Sequence, residues 1–274
     1  MNELKRYSQF INEAIKYLST SELLQWMEDR KDYVFIALDT ETTGLRGPWQ
    51  DQLTQVAAVA FTLDIQTLKF TEIDNFNQKI KLHPEIIAQK ELPGSKIKGA
   101  LKFNRYGVSG GKFLDEQVVL ENLINFVNGF DKVILLIQNA PFDMPMINVR
   151  KEFGGLDHEI FDTKDFFAYF MLPTLQKMAE TDQEAADIIA KIGTTQSGKL
   201  PTSSLPKVAA GLGIDPNEAH DALFDCRYMV KVLERGLDIV NSNKDIDRKE
   251  LIRPRIASDM YIKKKNKMNI GKLR

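Results

Sequence analysis

Two runs of five apolar residues, VFIAL at 34–38 and VILLI at 133–137, constrain this chain more than any other feature. Neither run contains a polar residue, so neither offers a face to water, and both read as buried strands. Each then passes into a polar segment, DTETTG after the first and QNAPFD after the second. Between them, 55–63 (QVAAVAFTL) and 69–80 read as two further strands. Residues 91–113 hold Pro93, Gly94, Gly99, Gly107, Gly110 and Gly111 and read as loop. Helical spacing of apolar residues appears at 8–28, 114–130, 144–153, 175–192, 205–212 and 222–240, with the polar stretch 194–204 as a mobile connection. A meander of three strands followed by strand–helix units predicts a layered α/β domain, a mixed central sheet flanked by helices.

Bulk composition removes several classes. The 274 residues are 43% hydrophobic and 27% charged, ordinary for a globular chain large enough to bury a core. A single cysteine, Cys226, permits no internal disulfide and fits a reducing compartment. The opening MNELKRYSQF is not a signal sequence, and no apolar run nears the ~20 residues of a membrane span. The expectation is a soluble, cytoplasmic protein. Its net charge of −1 is uneven: residues 244–274 carry 11 Lys+Arg against 4 Asp+Glu, leaving the remainder acidic. That basic end is either a solvated terminus or a contact for a polyanion. The expected division is an N-terminal helical extension over 1–30, a catalytic domain over 31–243 and a basic C-terminal tail over 244–274.

Three segments carry chemistry. In DTET, Asp39 and Glu41 stand two apart at a strand end and so share a face, where a hard divalent cation would neutralise both. In QNAPFD, Asp143 stands near the start of a helix. In HDALFD, His220 and Asp225 are five apart, about 140° around an ideal helix, and share a site only if the helix breaks between them. Taken singly each has a plainer reading: polar residues leaving a strand, a helix cap, a surface or capping histidine. Gly107 to Gly111 satisfies G-x-S-x-G, but no strand leads into it and no second histidine is suitably placed, which argues against a serine hydrolase. Asp162-Thr163 reads as structural.

Taken in order, Asp39-x-Glu41, Asn139-x-x-x-Asp143 and His220-x-x-x-x-Asp225 resemble the motifs of the DEDDh branch of the DEDD superfamily, the DnaQ-like, ribonuclease H-like 3′→5′ exonucleases. The resemblance spans about residues 33–240. It departs at Gln138, where many relatives have His, and at Gln55, where they often have Glu. It implies a ribonuclease H-like fold, with an antiparallel meander plus parallel strands. It also implies a two-metal site in which Asp39, Glu41, Asp143 and Asp225 hold Mg²⁺ or Mn²⁺, and His220 is the general base. Thr42 and Leu45 would then contact the terminal nucleotide, although Thr42 could instead satisfy the turn's own backbone. Asn139 stands with them at the site and would brace the turn. The implied activity is release of nucleoside 5′-monophosphates from DNA 3′ ends, with a possible polymerase or replication partner. The alternatives are an exoribonuclease, distinguished by the 2′-OH, and a non-catalytic nucleic-acid or polymerase-binding module.

Overall fold

The computed structural model describes residues 18–107, 112–149, 155–193, 204–215, 221–248 and 252. Helix α1 (Thr20–Glu28) leads into strands β1 (Val34–Thr42), β2 (Leu53–Asp64) and β3 (Lys69–Ile80). Two short helices follow, α2 (Pro84–Lys90) and α3 (Ile97–Phe103), then strand β4 (Phe113–Leu114) and helix α4 (Glu116–Asn128). Next come β5 (Val133–Ile137), α5 (Ala140–Asn148) and β6 (Glu159–Asp162). The remainder is helical: α6 (Thr163–Phe166), a π-helical turn (Phe167–Met171), α7 (Leu172–Met178), α8 (Gln183–Ile192), α9 (Leu205–Gly211) and α10 (Ala222–Ser242). No described helix is long and apolar enough to cross a membrane.

All six strands form one sheet in the order β4-β3-β2-β1-β5-β6. The meander pairs β1 with β2 and β2 with β3 antiparallel, while β5 runs parallel to β1 and to β6. This is the mixed sheet expected of the ribonuclease H-like class. Alternation along the strands divides the core into two layers. Phe35 and Ala37 of β1, with Ala57 and Val59 of β2, face the stripe Cys226, Met229, Leu233 and Leu237 of α10. Ile36 and Leu38 face the other way, onto Val119, Leu123 and Val127 of α4 and Met146 and Ile147 of α5. The sheet is therefore covered on both sides, which explains why VFIAL and VILLI lack polar residues.

Several expectations need correction. Residues 91–113 are not all loop: α3 and β4 lie within them, and α2 precedes them. Ile97 and Leu101 pack with Leu82 in a small separate cluster. This four-residue spacing is too short to stand out among the glycines. The helix expected over 175–192 is two, because the Asp182 carboxylate accepts from the backbone of Glu184 (2.8 Å) and starts α8 afresh. The helix expected over 144–153 begins earlier, at Ala140. Helical structure also starts at Thr163, ahead of the reading, because FFAYFM is buried on nearly all sides and shows no 3.6-residue period.

The two ends of the described chain meet on the α10 side of the sheet. Leu23 and Met27 of α1 are core residues. Of the helix read over 8–28, residues 8–17 lie outside the described residues, and the described helix starts only at Thr20. Ser19 is extended, and its hydroxyl accepts from Glu22 N (3.2 Å) while its own N–H donates to the Glu22 carboxylate (2.6 Å), a capping box that interrupts the run. Arg248 is buried and places its guanidinium 4.0 Å from the centre of the Phe170 ring. It donates to the Tyr169 carbonyl and to the Leu18 carbonyl (3.2 Å). Burial pushes its pKa down to about 10. Ile252 is buried in the same core. The polar stretch 194–203 and residues 253–274 of the basic end lie outside the described residues.

Candidate active site

Strand alternation builds the site. On β1, the face of Phe35 and Ala37 continues past the last apolar residue as Asp39 and Glu41. The helix that covers this face brings the third carboxylate. Asp221 caps α10 by accepting from Leu223 (3.2 Å) and Phe224 (3.4 Å), and Asp225 follows in the first turn. The next residue, Cys226, is buried with its thiol on the Ala57 carbonyl of β2 (3.5 Å), which fixes how close the helix start lies to the sheet. One carboxylate oxygen from each of Asp39, Glu41 and Asp225 falls within 4.8 Å of the other two. Asp39 and Asp225 keep partial exposure, so the cluster opens to solvent.

Asp143 approaches from the opposite layer and stands outside that group of three. The face of Ile36 and Leu38 continues as Thr40, whose hydroxyl donates to Asp143 Oδ1 at 2.6 Å, both residues being buried. The turn that delivers Asp143 is built on Asn139, which adopts the left-handed conformation (φ 71°, ψ 53°) that Asn tolerates better than most residues. The backbone N–H groups of Asn139 and Ala140 each donate to the Asp162 carboxylate at 3.0 Å. Lys164 Nζ donates to Asn139 Oδ1 at 2.9 Å. Asn139 is thus held in the turn at both backbone and side chain, and Asp162 has a structural role.

The carboxylates raise one another. Asp39 is pushed well up, first by burial and then by Asp143, Glu41, Asp225 and Asp221. Glu41 rises to about 8, through burial and then Asp225, Asp143 and Asp221. Asp143 rises to about 7 because burial outweighs the hydrogen bond from Thr40. A cleft of clustered oxygens whose charge opposes itself is the donor set a hard divalent cation satisfies, and the three converging oxygens fit such an ion.

The turn after β1 is assembled around Asp51, which is buried. It accepts from Arg46 N (2.6 Å), from the Arg46 guanidinium (2.7 Å) and from the Thr43 hydroxyl (3.3 Å). Gly44 lies so close that a Cβ there would sit 2.6 Å from the Asp51 carboxylate, so a side chain would displace it. The Thr42 hydroxyl donates to the Gly44 carbonyl (2.6 Å), and Asn104 of the segment after α3 donates to the Thr42 carbonyl (2.6 Å). Leu45 projects into solvent, 86% exposed. His220 lies outside the described residues.

Sequence reading passed over Thr40, Asp51 and Asp221. Thr40 was detectable as the polar residue that ends the apolar even-numbered face of β1. Asp221 was detectable as a helix cap beside His220. Gln55 stands opposite Glu41 in the ladder and donates to Asp221 Oδ2 (3.3 Å) and Asn77 Oδ1 (2.9 Å). Its amide places a donor there instead of another negative charge.

No family model matches the sequence, and no curated protein is similar to it in sequence. Solved structures are similar in fold. Exonuclease I of E. coli in complex with a dA16 oligonucleotide aligns over 78% of this chain and 42% of that chain, with 18% identity and a TM-score of 0.53. A second exonuclease I structure aligns over the same shares at 18% identity and a TM-score of 0.51. An ExoI/SSB-Ct complex aligns over 78% and 43%, at 15% identity and a TM-score of 0.50. The chain thus spans less than half the length of these exonuclease I chains. What is shared with these exonuclease I structures is the fold.

Proposed function

We propose that this chain is a divalent-metal-dependent 3′→5′ exonuclease that hydrolyses the terminal phosphodiester bond of DNA and releases nucleoside 5′-monophosphates. The convergence of Asp39, Glu41 and Asp225 within 4.8 Å carries the reading. Asp39, Glu41, Asp143 and Asp225 would hold two ions, Mg²⁺ or Mn²⁺ by the hardness of the oxygen donors. Bound there, such ions neutralise the phosphate, acidify water and stabilise the leaving oxygen. The chain's own residues do the rest. Asp39 and Glu41 are fixed by the β1 ladder, Asp225 by the first turn of α10, and Asp143 by Thr40. His220, directly before the capping Asp221, takes the proton from the attacking water as general base. Thr42 and Leu45 lie on the turn beyond Glu41 and line the place of the terminal nucleotide, with Asn139 bracing the adjoining turn.

Single-stranded DNA is the favoured substrate, a reading supported by the oligonucleotide bound to the exonuclease I of the same fold. The test is incubation of 5′-labelled DNA and RNA oligonucleotides with Mg²⁺, with Mn²⁺ and with chelator. A ladder shortening one nucleotide at a time from the 3′ end of DNA, absent with chelator, is the expected result. A ladder on RNA alone transfers the activity to the ribonuclease reading. Intact oligonucleotides in every lane leave a binding module.

A further inference from the structure

The turn that closes β1 onto β2 forms one wall of a second cavity, of about 910 Å³, whose other walls come from α2 and the start of α4. That volume lies within the ~300–1,000 Å³ typical of ligand sites. Its floor is Gln52, whose carbonyl accepts from Thr43 N (2.9 Å). Thr43 is two residues beyond Glu41, so the turn that walls the cavity directly continues the strand that carries two of the carboxylates.

Three features define what the cavity accepts. Trp49 lines it with 84% of its surface exposed, and Ile87 of α2 lines it with 46% exposed. An indole so bare is unusual, since tryptophan carries one of the largest apolar surfaces of any side chain. The backbone that carries it is held in place. Gln50 N and Asp51 N both donate to the Gly47 carbonyl (3.1 and 3.0 Å), closing the turn around Trp49 onto the buried Asp51. Next, the exposed amides of Gln50 and Gln89 line the same space, groups able to donate and accept along a base edge. Finally, the lining is acidic rather than basic: Arg46 and Lys81 stand against Asp51, Glu85, Asp115 and Glu116. Asp51 is committed to Arg46, and Glu116 accepts from Leu53 N (3.3 Å). A groove tracking phosphates would be cationic. This one offers a ring face and amides without a cationic track.

We propose that this cavity is a nucleobase subsite: Trp49 stacks a base of the single strand upstream of the terminal nucleotide bound at the carboxylates. The inference rests on the nuclease reading above. It predicts a stacking contribution to affinity that grows with strand length, is tolerant of sequence and is itself insensitive to salt, whatever salt dependence the phosphate contacts add.

The experiment is a binding titration of thymidine di-, tetra- and octanucleotides to the whole chain in Ca²⁺, with oligonucleotide integrity checked. It is read by tryptophan fluorescence and by anisotropy of a 5′ label. Trp26, the chain's second tryptophan, is already packed against Arg30 (4.3 Å) and serves as internal reference. The octanucleotide should quench wild-type fluorescence. W49A should bind the octanucleotide about 5- to 150-fold more weakly, the loss expected for one stacked base, and should flatten the gain from dimer to octamer. W49F should recover most of it. The ratio of wild-type to W49A affinity should hold between 50 and 300 mM salt. W49A with the wild-type length dependence, or a ratio that vanishes in salt, overturns the subsite while leaving the nuclease reading intact. A wild-type chain that neither binds nor shortens any oligonucleotide overturns both.

Discussion

Replacing Glu41 by Gln should make the metal-free protein more stable and more nearly independent of pH. In the folded chain Glu41 ionises at about 8 rather than at 4.5. The sign follows from proton counting. Below pH 4.5 both folded and unfolded chains hold the proton, and the site costs nothing. As pH rises from 4.5 to 8, the unfolded chain gives up a proton that the folded chain keeps, so stability falls, and above 8 the loss is constant. At 1.36 kcal/mol per unit, the cost is about 3 kcal/mol at pH 7 and about 5 kcal/mol on the plateau. Gln removes the ionisation while keeping nearly the same volume. The measurement is denaturant and thermal unfolding of wild type and E41Q in EDTA from pH 4.5 to 9. The two should coincide near pH 4.5 and separate steadily, with E41Q melting roughly 6–12 °C higher at pH 7, at ~2–4 °C per kcal/mol. Adding Mn²⁺ should then stabilise wild type more than E41Q, because the ion binds the folded state of the intact site. If the variant is no more stable than wild type at pH 8 in EDTA, the repulsion described for this cluster is absent.

Three further outcomes are expected. T40V leaves Asp143 buried without its hydroxyl donor and should weaken Mn²⁺ affinity ~10- to 100-fold by calorimetry, with T40S restoring it; equal affinities for all three would detach Thr40 from the site. H220A should slow phosphodiester hydrolysis ~10²–10⁴-fold in single-turnover assays while binding oligonucleotide normally, and an unchanged rate at neutral pH would remove His220 from proton transfer. Deleting 253–274, which spares the buried Arg248 and Ile252, should weaken oligonucleotide binding and shallow its dependence on salt; an unaltered salt slope would make that segment a bystander.

The parts of this architecture legible in the sequence were those written in local periodicity. VFIAL and VILLI announced strands covered on both faces because burial on both faces needs unbroken apolar character. Asp39 and Glu41 announced a shared face because strands alternate. What stayed hidden depended on partners distant in sequence. Thr40 looked like a spacer within DTET, and its value appears only when α5 delivers Asp143 to the other side of the strand, 103 residues away. Asp221 is significant because α10 docks its first turn onto β2 beside Gln55. The helical run from Thr163 was obscured by its own burial, since a segment apolar on every side loses the stripe that marks a helix. The short helices α2 and α3 were masked by Pro93 and Gly94, which separate them, and by Gly99 within α3.

The clasp made by Arg248 has a consequence for biosynthesis. Its guanidinium reaches the Leu18 carbonyl, 230 positions earlier in the chain. At a bacterial or eukaryotic elongation rate of ~5–20 residues per second, α1 emerges from the ribosome on the order of ten to fifty seconds before the arginine that fastens it. Throughout that interval the inner side of α1 lacks its final cover, and the ring of Phe170 lacks it for the last ~4–16 seconds. A growing polypeptide of this design exposes sticky surface until Arg248 has emerged, so slower elongation or a premature stop shortly before codon 248 should increase aggregation and chaperone capture.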